Sequence, residues 1–175
     1  MASYSIDNAH SDIGFSVRHM VFAKVRGHFD KWTANLTFDG VDPAKSAVEV
    51  DVDASSVDTR EEKRDTHLKS PDFLDVAKFP RLTYKSQSVA RASDGHYKVT
   101  GALTIRDVTR EVVLDVEETG RGKDPWGNAR VGFLAKTTIA RTDFGLVWNQ
   151  ALEAGGLLVG EKVEIEIDVQ AVEKK

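Results

Sequence analysis

The chain has 175 residues, with 24 Lys+Arg against 28 Asp+Glu, a net charge of −4 and 41% hydrophobic residues. That length fits one domain with a substantial core, taken as residues 1–175. Mixed charge with no basic cluster excludes the electrostatic footprint of a nucleic-acid binder. The absence of cysteine removes disulfides and thiolate ligands, and no run of about 18 apolar residues is present to span a bilayer.

The N-terminus has no basic segment followed by an apolar run. The expected location is cytoplasmic, or periplasmic if a leader has been removed. Residues 3–6 read as a short edge strand. After the turn Asp7-Asn8-Ala9, Ile13, Phe15, Val17 and His19 alternate with polar neighbours, a period of two that places them on one strand face. A second strand starts at Val25. Its apolar phase slips between Phe29 and the set Trp32, Ala34, Leu36 and Phe38, which predicts a bulge near Asp30-Lys31. Asp39-Gly40 and Asp42-Pro43 close a hairpin to a strand carrying Val48, Val50 and Val52.

Residues 58–68 are polar and helix-favouring, with Thr59 three positions before Glu62 in the manner of a capping box. Ser70-Pro71 reads as an N-cap opening a short turn through Phe73 and Leu74. Leu82 and Tyr84 begin a new strand. Residues 97–116 form a long hairpin: Tyr97, Val99, Gly101, Leu103 and Ile105 share one face of the first arm, and Val112, Leu114 and Val116 share one face of the second. Gly101 on the inward face leaves room. Residues 118–128 read as a Gly-rich charged loop. Val131, Phe133, Ala135, Thr137, Ile139 and Arg141 share one face of another long strand. An irregular stretch, 143–160, precedes a last strand carrying Val163, Ile165, Ile167 and Val169.

The fold class is therefore all-β: about eight antiparallel strands, too long for a typical sandwich, closing into a barrel with one short helical excursion. A barrel of that size holds one small ligand.

Several stretches carry a resemblance: YSIDNAHSDIGFSVRHM at the start, RGHF at 26–29, RDTHLKSPDFLD at 64–75, FPRLTYKS at 79–86, GALTIRDVTREVVLDV at 101–116 and ARTDFG at 140–145. Spread in order over nearly the whole chain, they resemble the YceI-like family of bacterial proteins. The resemblance implies a lipocalin-like extended barrel whose apolar tunnel holds a long-chain isoprenoid or fatty-acyl lipid, with no cofactor. On that basis the expected ligand-binding residues are Ile13, Phe15, Val17, His19, Leu103, Ile105, Phe133, Ala135, Ile139 and Arg141. The expected partner is the lipid itself; self-association as a homodimer is left open.

Competing chemistry is thin. His10, His19, His28 and His67 lack the close spacing of a zinc site, although His10 and Asp12 would share a face if both lay on one strand. Ser11 beside His10 has no nucleophile elbow, and Asp143-Phe144-Gly145 has none of the other parts of a kinase. No catalytic residue, metal or cofactor is expected. Arg141 is the open case. An inward arginine must be paired or solvated, either by Asp143 or a helix carboxylate, or by the phosphate or carboxylate head of a ligand. Two functions follow: a non-enzymatic binder, store or carrier of a long-chain amphiphile, or an isomerase or hydrolase acting on such a lipid through His10, Asp12 or Arg141.

Overall fold

A strand with every second side chain apolar must cover one face, and a sheet of such strands covers it most completely by closing on itself. The computed structural model describes residues 2–153 and 157–175. Its strands are β1 (Ala2–Ile6), β2 (Asp12–His19), β3 (Ala23–Phe29), β4 (Trp32–Phe38), β5 (Ala47–Asp53), β6 (Val57–Asp58), β7 (Arg81–Ser93), β8 (His96–Ile105), β9 (Val108–Lys123), β10 (Ala129–Ala140) and β11 (Val159–Glu173). In the order β1-β4-β5-β7-β8-β9-β10-β11 they form an antiparallel sheet that β1 closes by pairing with β11, giving an eight-stranded barrel. The short strands β2, β3 and β6 extend β1, β4 and β5 past kinks, with β2 paired to β11 and β3, and β3 to β6.

The kinks lie side by side and are tied together. A 3-10 turn at Asn8–His10 separates β1 from β2, and another at Ala54–Ser56 separates β5 from β6. Between them, Asn8 Nδ2 donates to the Trp32 carbonyl oxygen at 3.1 Å, Asp53 N to Lys31 O at 2.9 Å and Asp30 N to Ser56 O at 3.2 Å. The expected bulge at Asp30-Lys31 is thus a strand break. The apolar phase slips because the chain leaves the ladder of β2 and β6 and enters that of β1 and β5. Residues 3–6 are likewise no edge, since β1 pairs on both sides.

Two more expectations need correction. The stretch 118–128 is mostly strand: β9 runs to Lys123 and pairs with β10 as far as Ala129, leaving only the turn at 124–128. The β9 side chains from Thr119 to Lys123 are exposed, so no alternation marks them. The helix α1 is Glu62–Lys69, and its N-cap is Glu61, whose carboxylate accepts from Arg64 N. Thr59 is instead buried, with Oγ1 donating to Asp65 Oδ1 at 2.5 Å. Ser70 caps the C-terminus of α1, and its carbonyl oxygen also opens the next turn by accepting from Phe73 N at 3.0 Å.

Local irregularities adjust the inward phase. In β7, Leu82 and Tyr84 are buried on even positions and Val89 on an odd one, because the register against β8 shifts between Ser86 and Ser88. Gly101 does not open space for a ligand. A Cβ there would lie 2.6 Å from the Tyr84 ring and 2.6 Å from the Lys85 carbonyl oxygen, so the glycine seats the tyrosine. Tyr84 Oη in turn donates toward the carbonyl oxygens of Val112, at 3.0 Å, and Val99, at 3.3 Å, and burial pushes its pKa up to about 12.

Candidate functional site

The barrel encloses a cavity of about 430 Å³, within the size range of small-molecule sites. Its walls are the inward rows of β2, β4, β5, β7, β8, β9, β10 and β11, with Val25 and Phe29 of β3 beside them. All the residues expected from the sequence line it: Ile13, Phe15, Val17 and His19 from β2, Leu103 and Ile105 from β8, Phe133, Ala135 and Ile139 from β10, and Arg141 just beyond. The cross-strand register explains why they converge. Ile13 and Phe15 sit opposite Ile167 and Ile165, and Ala135 lies between Val116 and Ile167.

The two ends differ. At the end where β4 finishes and β10 begins, Phe38 packs edge-on to Phe133 with ring centroids 5.1 Å apart and to Tyr97 at 5.7 Å. All three rings are buried, and edge-to-face contacts of this kind add to the burial of their area. Arg121 lies over the Phe38 ring and Arg91 over the Tyr97 ring, each 5.9 Å from the centroid. This end is an aromatic plug.

The opposite end carries the polar groups. It is formed by His19, the 59–80 connection with α1, and the segment after β10. Arg64 donates through Nε to Thr59 Oγ1 and through Nη2 to Thr59 O, both at 2.7 Å. His67 Nε2 pairs with Asp72 Oδ2 at 2.9 Å, and the His67 ring meets Trp148 edge-on at 4.6 Å and Phe73 at 5.0 Å. Leu68, Phe73, Leu74 and Trp148 complete the lining. Among the described residues, no aspartate or glutamate lines the cavity; the arginines that line it are Arg18, Arg64 and Arg141.

Arg141 is inward, as the alternation requires, and only 3% exposed. Its partners are neither Asp143 nor a helix carboxylate. Nε donates to Gly160 O at 2.7 Å, Nη1 to Leu146 O at 2.6 Å and Trp148 O at 3.0 Å, and Nη2 to Val159 O at 3.2 Å. Burial lowers its pKa from the usual arginine range, with Glu161 acting in the other direction. The reason for this arrangement is local. A 3-10 turn at Arg141–Phe144 ends on Gly145 in the left-handed region, φ 79°, and swings the next segment across the barrel end. Carbonyls brought together there need donors; the guanidinium supplies them, with Asn149 Nδ2 adding a second bond to Val159 O at 2.7 Å. The Gly155-Gly156 pair of the irregular stretch lies outside the described residues.

The alternative catalytic candidates are elsewhere. His10 is in the 3-10 turn rather than on a strand face with Asp12; its Nδ1 meets Asp7 Oδ2 at 2.8 Å. Ser11 Oγ donates to Asp7 O at 2.7 Å and makes no bond to His10 among the described residues. Neither His10 nor Ser11 lines the cavity. Among the described residues, ligand-type atoms also gather where His28 Nε2 lies 3.0 Å from Asp30 Oδ1 and 3.8 Å from Asp58 Oδ2. His28 and Asp58 are half-buried, Asp30 is exposed, and none of the three lines the cavity.

Sequence periodicity missed Thr59, Arg64 and Trp148, because the segments bearing them follow no strand or helix repeat. Trp32 and Tyr84 were visible as apolar positions without any sign that they face the cavity.

Comparison with known proteins bears on this geometry. A model of the YceI-like domain matches residues 4–171. A UPF0312 protein of Vibrio cholerae serotype O1 is 35% identical over 175 residues, covering 99% of this chain and 88% of that protein. The Campylobacter jejuni YCEI protein, known from crystal structures, superposes with a TM-score of 0.78 at 31% identity and full coverage of both chains. A polyisoprenoid binding domain from Saccharophagus degradans, implicated in plant cell wall breakdown, shares the fold with a TM-score of 0.72 at 15% identity, over 99% of this chain and all of that one. With its closed barrel, its apolar interior and a family match over nearly its whole length, the chain belongs to the YceI-like family.

Proposed function

We propose that this protein binds one long-chain amphiphile, isoprenoid or fatty-acyl, and stores or carries it without chemical change. The observation that carries the reading is the polarity of the cavity: apolar walls from the aromatic plug onward, with polar and cationic groups gathered at one end. Apolar contacts are non-directional and grip any chain of the right width, so discrimination falls to the polar end. Arg64 and Arg141 give that end a positive field in surroundings of low dielectric, which favours a phosphate or carboxylate head. The shared fold of the Saccharophagus degradans polyisoprenoid binding domain supports the same class of ligand.

The enzymatic reading rests on less. The pair with acid–base character beside the cavity is His67–Asp72. The rings of Phe73 and Trp148 pack against that imidazole, where a nucleophile would be needed. Native mass spectrometry of protein isolated from cells, followed by lipid extraction, tests the proposal. One equivalent of a long-chain lipid, recovered unchanged after prolonged incubation, is the expected result. Conversion of that lipid to a product, or protein that is consistently empty and rejects added long-chain acids and polyprenols, would sink it.

A further inference from the structure

The turn between β2 and β3 is strained, and what it displays is apolar. Met20 has φ 54° and Val21 φ 71°, left-handed values that are costly for a β-branched residue. Phe22 N donates back to Met20 O at 2.8 Å across Val21, closing a γ-turn, a rare and strained form. The turn projects Met20, Val21 and Phe22, the last two 60% and 80% exposed. A sequence with a free choice at such a tip would use Gly, Asn or Asp.

A second segment joins it. Met20 N donates to Leu158 O at 2.8 Å, linking the tip to the chain that enters β11. Leu157 is exposed there, and Val147, on the segment after β10, is 68% exposed. Arg141 fixes this second segment. It binds the carbonyl oxygens on both sides of Val147, at Leu146 and Trp148, and those of Val159 and Gly160 beyond Leu158. Leu146, Trp148, Leu158 and Val159 line the cavity while Val147 and Leu157 face outward. The apolar apron and the apolar wall are therefore consecutive residues of the same clamped segments, with His19 joining wall to tip on the other side.

We propose that this end of the barrel docks on a lipid bilayer, with Phe22 and Val21 entering the interface and Val147 and Leu157 resting on it, so that a lipid passes from membrane to cavity along a continuous apolar surface. The choice of a bilayer rests on the reading of the cavity as a lipid site. A long apolar chain that crossed water between membrane and protein would lose its burial at each transfer, whereas an apron continuous with the cavity wall keeps it covered. The backbone strain at Met20 and Val21 then has a purpose: it holds apolar side chains outward where the barrel would otherwise fold them in.

The test compares wild type with Phe22→Ser and with Phe22→Ser/Val147→Ser, substitutions at exposed positions that leave the barrel untouched. Sedimentation with phosphatidylcholine vesicles should carry wild type into the pellet, with apparent affinity falling about tenfold or more in the variants. Equilibrium binding of a water-soluble fluorescent fatty-acid probe should be the same for all three proteins, while transfer of that probe from vesicles should slow in the variants. Wild type that stays in the supernatant, or variants that sediment equally well, would overturn the docking proposal. So would a wild type of twice the monomer mass that Phe22→Ser converts to monomer, because the apron would then cover a second copy of the chain. Failure of wild type to bind the soluble probe would count against the cavity reading alone, since sedimentation decides the docking independently.

Discussion

Arg141 shows how one buried charge is used when, among the described residues, no carboxylate pairs with it. Four backbone carbonyl oxygens surround its guanidinium, so the side chain acts as a clamp on the segments entering and leaving the barrel end. Replacing it with methionine keeps the length and removes the donors. Each buried carbonyl left unpaired costs about 1–3 kcal/mol, so Arg141→Met should lose at least about 3 kcal/mol of unfolding free energy, read from urea denaturation followed by circular dichroism. A variant as stable as wild type that had lost affinity only for phosphate- or carboxylate-headed lipids would show instead that the head group supplies the pairing. Gly101 and Tyr84 make a similar point. The glycine is legible as an inward position, but its use, a seat for a ring from the neighbouring strand, depends on a Cβ clash that no single strand displays.

Elements are joined by ion pairs that the strand repeat does not announce. Arg130 on β10 contacts Asp124 Oδ2 in the β9–β10 turn and Asp7 Oδ2 at the first kink, both at 2.9 Å. Asp124 also accepts from Trp126 N and Asn128 N, so the same carboxylate shapes the turn. Arg130 is the main cause of the depressed pKa of Asp124, lowered to about 2, and of the lowered pKa of Asp7. A carboxylate that titrates lower in the folded chain than its unfolded value of about 3.9 contributes stability that is full above that value. The contribution disappears as pH falls through the folded value. Wild type should therefore lose melting temperature between about pH 4 and 2 more steeply than Asp124→Asn, which has no charge to protonate there. Thermal scans across that range at constant ionic strength check it, and parallel curves for the two proteins would remove Asp124 from the acid response.

At the scale of the whole molecule, the barrel leaves its middle unfilled. Cores are ordinarily packed close to crystal density, and a large side chain forced into one costs about 1–3 kcal/mol. Ala135 lies midway along β10 with its side chain toward the cavity, between Val116 and Ile167. Ala135→Phe should place a ring in space that a ligand would otherwise occupy. Affinity for a fluorescent fatty acid or polyprenol analogue should fall about tenfold or more, while the melting temperature stays within a few degrees of wild type. A large loss of stability with binding intact would mean that the space at Ala135 belongs to the core.

The sequence alone determined the all-β class, the inward and outward faces of the long strands and the apolar character of the interior, because a period of two is a local property of consecutive residues. The inward rows of β2, β8 and β10 were read in full for that reason, and Arg141 was placed at their end. Tertiary structure decided everything that depends on which strands are neighbours. It turned the phase slip at Asp30-Lys31 into a change of ladder, made β1 an interior strand, and extended β9 through residues with no apolar face to mark them. It also set the chemistry of the cavity's polar end, where Thr59, Arg64, His67 and Trp148 arrive on a helix and on an irregular segment. Their side chains meet only because the barrel closes beneath them, and closure is fixed by hydrogen bonds between β1 and β11, at opposite ends of the chain.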